Sequence, residues 1–570
     1  MEGVVLNHAL FFYYIQWVRC MRKVEDLVVE VREKKIKFVV VTGGVCSSLG
    51  KGVLVSSLGV LLQGAGHRVS VIKCDPYLNV DPGTMSPMEH GEVFVTADGA
   101  ETDLDLGHYE RTLGIQLSRD SSVSAGQIFA HVLGRERRGE YLGRCIQLVP
   151  HVVDVIKEHF LNFALNHDVD TVLIEIGGTV GDIEGMVFLE ALRQLKYDMG
   201  PHNLLHAHLS YVPFLSWTGE IKTKPTQHSV QHLKTTGLVP DALFLRTDQT
   251  IDARAQAKVA LMCGVPAARV FEVVTVRPLF KLFFMLEQQG LVSAVNDFFE
   301  GKALTRKTDL QQWDDILIKF AKAKRKVTIA LVTKYAGNND PYISVIEAIK
   351  TAVYHEQLFP EVVVVNAEQL EENNQEAWQL LKSAAGIVVP GGFDKRGAEG
   401  KILALRYARE NNVPCLGLCL GFQLMLVEAA RSLLGLVEAT STEFNKKTVE
   451  PVISLLDEQE GVVDKGGTMR LGEYPCDIIP GTQAYAAYGK ETVLERHRHR
   501  YEFNNVYRER LEQVGVVFSG MYTEKNLVEI AEIKNHRFML GTQFHPEFKS
   551  TYLHPHALFN RFIQVVKEGL

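Results

Sequence analysis

The run Pro414-Cys-Leu-Gly417-Leu-Cys419-Leu-Gly421-Phe-Gln423 sets a thiol between two glycines where an apolar strand gives way to a helix. Small flanking residues permit a sharp strand-to-helix turn and open the thiol to a substrate, as in the G-x-S-x-G elbow of hydrolases. The partial positive charge at the start of the helix favours a thiolate. A thiol nucleophile needs a base, and Gly541-Thr-Gln-Phe-His545-Pro-Glu547-Phe supplies one with a carboxylate two residues on. On an extended segment those side chains point the same way, so Glu547 would orient the His545 ring while the ring takes the proton of Cys419. Gly391 and Gly392, following the strand that ends at Pro390, would present backbone N–H groups to a developing oxyanion, and the N–H of Leu420 would be the second donor. A lone His-Pro-Glu carries little weight, but the order GG, GxCxG, HPE within one α/β unit is specific for acyl transfer. Cys415 lacks flanking glycines and reads as a buried structural thiol.

A second group of residues suits phosphates. Thr42-Gly-Gly-Val-Cys-Ser47-Ser48-Leu49-Gly50-Lys51-Gly52 lies between a strand and a helix, where backbone N–H groups and the Lys51 ammonium hold phosphate oxygens. Gly52 stands where the strict phosphate-loop pattern has a metal-binding hydroxyl, so a divalent cation must find its oxygens elsewhere. Two acidic places fit. Glu101-Thr-Asp103-Leu-Asp105 is expected to align its carboxylates on one face of an extended segment, with a solvated loop as the plainer alternative. Glu175 ends the apolar strand Val169 to Ile176, the strand end where ligands gather in open parallel sheets.

These residues need a scaffold, and the hydropathy pattern supplies it. Phe38 to Thr42 reads as a strand, Leu49 to Gln63 as a helix ended by Gly64-Ala-Gly66, and Val69 to Ile72 as the next strand. This is the repeating unit of a parallel sheet with crossover helices. Residues 301–326 are polar and then basic, and Val327 to Val332 opens a second α/β series with strands at Val362–Val365 and Gly386–Val389. The expected organisation is an extension over 1–36, a first domain over 37–300, a linker over 301–326 and a second domain over 327–570.

The bulk composition agrees. The chain has 570 residues, 46% hydrophobic and 23% charged, as expected for a globular protein of two or three compact units. A formal net charge of −7 argues against a nucleic-acid partner. Eight cysteines without CxxC spacing suggest reduced thiols and a cytoplasmic location. The apolar stretch Ala9 to Val18 is too short to span a membrane and lacks the flanks of a signal peptide. Three readings of the first 36 residues stay open: a packed helix, an interaction segment, or translation assigned upstream of Met21.

Residues 327–570 resemble a class I glutamine amidotransferase domain, on the strength of the GG, GxCxG and HPE motifs. The first half resembles the synthetase domain of the CTP synthase family through several long segments. They are Lys73 to Pro87, His90 to Val95, Asp98 to Arg111, Glu175 to Glu184 and Lys222-Thr-Lys-Pro-Thr-Gln-His-Ser229. The resemblance spans about 37–570 and implies an α/β fold class. An N-terminal parallel-sheet, P-loop-like synthetase domain would join a C-terminal α/β glutamine amidotransferase domain. It implies ATP-dependent amination of UTP to CTP through a 4-phosphorylated intermediate, using ammonia made from glutamine and channelled between the sites.

The resemblance also implies roles. Cys419, His545 and Glu547 would form the triad, with Gly391, Gly392, Leu420, Gln423, Glu443 and Arg500 around the glutamine. Ser47, Ser48, Leu49, Gly50, Lys51, Gly52, Lys73 and Asp105 would hold ATP. Ser47, Lys222, Thr223, Lys224, Gln227 and Lys258 would hold UTP, and CTP as product inhibitor. Asp105 and Glu175 would bind Mg²⁺, and Pro87, His90 and Val93 would line the ammonia passage. GTP activation and a homotetramer complete the family picture.

The chain departs from the family pattern in places. Cys46 replaces a Val or Ile, Asp394 stands where a further Gly is usual, Pro341 stands where Ala is common, and the stretch Leu456 to Gly466 is short. Asp394 bears on the oxyanion loop and on nearby GTP activation, and the short stretch on the strength of GTP dependence. Arg396, Gly397 and the run Arg496-His-Arg-His-Arg500 are retained, the latter expected near glutamine and domain contacts, or else on a solvated surface. Two other functions would fit less of the sequence. One is a related amidotransferase such as a cobyrinic acid diamide synthase, which lacks Lys222-Thr-Lys-Pro-Thr-Gln-His. The other is a non-catalytic nucleotide-binding assembly protein, against which the intact triad, Lys51 and Asp105 argue.

Overall fold

Val39, Val40 and Val41 are buried on both sides, and such a continuous β-branched run is stable only in the middle of a covered parallel sheet. The computed structural model describes residues 23–301, 308–334, 340–456, 459 and 466–570. In it the run forms the strand Lys37–Gly43, flanked by Thr171–Ile176 and Leu204–Tyr211 in parallel register. The sheet has seven strands, in the order Val270–Val274, Ala242–Thr247, Leu204–Tyr211, Lys37–Gly43, Thr171–Ile176, Val69–Asp75 and Ser122–Ser124. All of its pairings are parallel. The expected helix appears as Lys51–Gly64.

The second sheet has nine strands. Phe359–Asn366, Lys326–Thr333, Gly386–Val389, Cys415–Leu418 and Met539–Thr542 pair in parallel in that order. Four further strands, Leu527–Ile533, Val516–Tyr522, Arg470–Ile478 and Thr492–His499, continue it in antiparallel pairing. The sheet of the second domain is therefore mixed, a parallel half continued by an antiparallel one. The connections over 523–526 and 534–538 are short enough for antiparallel neighbours, whereas Arg470–Ile478 and Thr492–His499 are joined through the helix Gln483–Tyr488.

The chain divides into two compact units, Met1–Asp81 with His108–Leu317 and Pro82–Gly107 with Ile318–Leu570. Pro82–Gly107, which lies within 37–300 in sequence, is built into the second unit. There Arg496 Nη1 donates to the Val95 carbonyl at 3.2 Å, and the Glu473 N–H donates to Ala97 at 2.9 Å. The Phe94 and Phe548 rings meet edge to face at 5.0 Å.

Of the 1–36 extension, residues 1–22 lie outside the described residues. Val24–Glu33 is a helix that buries Val24, Leu27, Val28 and Val31, an i, i+3, i+4, i+7 stripe. Part of the expected linker, Gln311–Lys322, is also a helix. Most of the short 456–466 loop lies outside the described residues. Among the described residues no helix is long and apolar enough to cross a membrane.

Candidate functional site: a thiol cavity and a glycine-rich strand edge

Three adjacent parallel strands of the second sheet deliver the chemistry of the thiol site. Gly386–Val389 leads into Gly391 and Gly392, Cys415–Leu418 leads into Cys419, and Met539–Thr542 leads into His545. Cys419 sits at φ +50°, ψ −103°, a strained conformation for a non-glycine residue and the mark of a nucleophile elbow. Its neighbours explain the motif. A Cβ on Gly421 would run into the Val389 carbonyl, and one on Gly417 would lie 2.9 Å from the Gly421 backbone. Only glycine at both positions lets the turn close. The helix Leu420–Leu433 then starts directly behind the thiol, which is 4% exposed.

His545 Nδ1 lies 2.7 Å from Glu547 Oε1. The pairing was expected, but its geometry differs: Glu547 lies in the 3₁₀ turn Pro546–Lys549, not on an extended segment. The turn folds the carboxylate back onto the ring. Burial works against a charged imidazole here, but Glu547 and Cys419 outweigh it and raise the His545 pKa to about 10. Cys419 Sγ is 3.7 Å from the Arg498 carbonyl, and Gln543 Nε2 is 3.9 Å from the sulfur. Gln423 Nε2 donates to the Tyr501 carbonyl at 2.8 Å and to Gln543 Oε1 at 3.1 Å.

A cavity of about 70 Å³ gathers Cys419, His545, Glu547, Gly391 and Gly392, and Pro87 and Val93 share its lining. His90 does not line it; its Nε2 lies 3.4 Å from Asp103 Oδ2. Glu443 Oε1 accepts the Asp394 N–H at 2.7 Å, and burial raises the Glu443 pKa. Arg500 donates to Thr468 Oγ1 at 3.1 Å and also bonds Gln459.

The acidic run 101–105 is not the aligned face that its alternation suggested. Glu101 and Thr102 form a two-residue strand, and Asp105 already lies in the first turn of the helix Leu104–Leu113. Glu101 is an ion-pair partner of Arg498, and Asp103 Oδ1 accepts the Asp105 N–H at 3.1 Å.

In the first unit three adjacent strands again end together. The glycine-rich loop follows Lys37–Gly43, Lys73 and Asp75 end Val69–Asp75, and Glu175 is in register with Lys73 near the end of Thr171–Ile176. Lys51 Nζ donates to the Gly178 carbonyl at 2.8 Å. Lys73 Nζ lies 3.2 Å from Asp75 and 4.0 Å from Glu175, which also accepts from Tyr109. Gly50 caps the helix at φ +97°, placing Ser47, Ser48 and Leu49 just before the N-terminus of Lys51–Gly64.

The Lys222-Thr-Lys-Pro-Thr-Gln-His segment enters the helix Lys224–Thr235, in which Gln227 donates to Thr223 Oγ1 at 3.1 Å. Lys222 pairs with Glu220, and Lys258 stands on the helix Ala253–Cys263. Asp75, Tyr109 and the chain Thr42–His208–Ser229, with hydrogen bonds of 2.9 and 2.8 Å, were not singled out from sequence. Asp75 was within reach of sequence reasoning, being two residues from Lys73 on one strand face.

Asp75 and Glu175 are buried hard oxygen donors at neighbouring strand ends, the donor type that Mg²⁺ takes. Among the described residues no group of three or more His, Cys, Asp or Glu side chains gathers as a metal cage.

The family model described as CTP synthase N-terminus matches residues 37–300, and that of glutamine amidotransferase class-I matches residues 339–565. A CTP synthase of Caldanaerobacter subterraneus subsp. tengcongensis is 49% identical over 93% of this chain and 98% of its own. The chain belongs to the CTP synthase family. A CTP synthase of Roseiflexus sp. is 50% identical over 92% of this chain and 94% of its own, and one of Pelotomaculum thermopropionicum is 50% identical over 93% and 98%. Both motif groups thus fall within segments that these family models match.

Proposed function

We infer that the chain carries out the reaction of its family, aminating UTP to CTP at the expense of ATP with nitrogen taken from glutamine. The observation that carries the glutamine half is His545, braced by Glu547 at 2.7 Å, in one cavity with Cys419 and the Gly391–Gly392 loop. The Cys419 thiolate attacks the amide carbon of glutamine, and the oxyanion is held by the N–H groups of the glycine loop and Leu420. His545 gives its proton to the leaving nitrogen, ammonia departs, and a thioester remains. Water, deprotonated by His545, hydrolyses the thioester to glutamate and restores the thiol. Gln423, Glu443 and Arg500 hold the glutamine, and ammonia leaves past Pro87 and Val93, with His90 close by in sequence.

In the synthetase half, O4 of UTP attacks the γ-phosphorus of ATP, the N3 proton is lost and ADP leaves. Ammonia then adds at C4, loses a proton, and expels phosphate to give CTP. Ser47 to Gly52 and Lys73 bind the ATP phosphates, while Ser47, Lys222, Thr223, Lys224, Gln227 and Lys258 bind the pyrimidine nucleotide. Glu175, with Asp75 at the neighbouring strand end, would hold Mg²⁺, which neutralises charge on the transferring phosphoryl group when bound. Activation by GTP, inhibition by CTP, a homotetramer and a cytoplasmic location belong to the same reading.

The test is isotopic. With glutamine labelled with ¹⁵N at the amide, together with UTP, ATP and Mg²⁺, the amino group of CTP carries the label. Labelled glutamine that is hydrolysed without CTP appearing would sink the UTP assignment.

A further inference from the structure

Lys401 lies in the helix Ala398–Glu410 and is 1% exposed, an unusual place for an ammonium group. Its Nζ donates to two backbone carbonyls, that of Pro390 at 2.8 Å and that of Gly391 at 3.2 Å. Both belong to the loop assigned above to the oxyanion. Burial, followed by the nearby charge of Lys334, lowers the Lys401 pKa to about 7. The ammonium and the neutral amine both keep N–H bonds to donate.

The two glycines are enclosed on both sides. A Cβ on Gly391 would lie 3.0 Å from His545 Cε1 and 3.6 Å from the Cys419 Cβ. A Cβ on Gly392 would lie 3.4 Å from Lys334 Cε and 3.7 Å from Lys401 Nζ. His545 and Cys419 thus lie against Gly391, and Lys334, Leu420 and Lys401 against Gly392. In a trans peptide the C=O and the following N–H point in opposite directions. Holding the Pro390 and Gly391 oxygens toward Lys401 therefore turns the N–H groups of Gly391 and Gly392 away from it, the orientation that the oxyanion reading requires. Lys334 steadies the far end of the loop, with its Nζ 3.1 Å from Asp394 Oδ2.

We propose that Lys401 is a positioning residue of glutamine hydrolysis, which sets the peptide orientation of the oxyanion loop without touching the substrate. This rests on the reading of Cys419 as the nucleophile. The test compares the full-length wild type with K401M, K401Q and C419A. Glutamine hydrolysis, CTP formation from ammonium chloride and the rate of iodoacetamide alkylation are measured for each.

K401M is expected to lose about 10²-fold in kcat for glutamine, the cost of one misaligned oxyanion donor. Its KM for glutamine should stay within about threefold, since the ground state does not use that donor. Ammonia-driven CTP formation and alkylation should be unchanged, and K401Q, which keeps an N–H donor, should fall between K401M and wild type. K401M hydrolysing glutamine at the wild-type rate, with C419A inactive, overturns this inference alone. Equal losses in hydrolysis, ammonia-driven synthesis and alkylation overturn it too, by showing a general loss of structure. Hydrolysis that survives in C419A overturns the nucleophile assignment and this inference with it.

Discussion

Arg498 Nε lies 2.8 Å from Glu101 Oε1, joining two residues far apart in the chain. The pair belongs to a strand of divided character. Arg496 and Arg498 face the Pro82–Gly107 segment, through Val95, Glu101 and Gly83. His497 and His499 point to the other side, where His497 Nε2 is 2.7 Å from Glu529. Glu101 is 4% exposed, so removing its cation strands a buried charge. Arg498→Ala is expected to cost about 3–5 kcal/mol in urea unfolding, and the R498A/E101A double variant less than the sum of the singles. Strict additivity would show that the pair is not coupled.

How much of this was visible beforehand depends on distance along the chain. The grouping of Cys419, His545 and Glu547 was legible because each motif is local: two glycines fix the turn at Cys419, and Glu547 is two residues from His545. Even there the fold supplied a different reason, a 3₁₀ turn in place of an extended segment. Glu101 was misread because its partner is Arg498, which no local pattern connects to it. Lys401 gave no signal, since a lysine within a helix reads as solvated until Pro390 and Gly391 are seen beside it. The parallel strands were legible from β-branched runs, whereas the antiparallel half of the second sheet, with polar residues such as Arg496 and Arg498 on one face, was not.

The charge on His545 makes stability depend on pH in a defined direction. Its pKa in the folded chain, about 10, lies above the ordinary 6.5. The stabilisation is therefore complete below about pH 6.5 and is lost as pH rises toward 10. Denaturant unfolding at pH 6 and pH 9.5 should show the wild type losing more stability than His545→Gln, by up to about 1.4 kcal/mol per pH unit. Parallel curves for the two proteins would contradict the assignment.

Gly421 is required by space, because a Cβ there would run into the Val389 carbonyl. Gly421→Ala should lower stability by about 1–3 kcal/mol and reduce glutamine hydrolysis more than tenfold. Ammonia-driven CTP formation should continue. A variant with wild-type hydrolysis would show that the elbow tolerates a side chain.

Glu175 is buried beside Lys73 at a strand end of the first sheet. Glu175→Gln should depress CTP formation about 10²-fold or more from both glutamine and ammonia, because phosphoryl transfer serves both. Glutamine hydrolysis should persist, and chelation of Mg²⁺ by EDTA should give the same split. Normal CTP formation by the variant would remove Glu175 from the synthetase site.

The most direct test of two separable chemistries is CTP formation by wild type and Cys419→Ala, each supplied first with glutamine and then with ammonium chloride. The account predicts that the variant makes no CTP from glutamine and makes it from ammonia at the wild-type rate. CTP formed from glutamine by the variant would contradict the account at its centre.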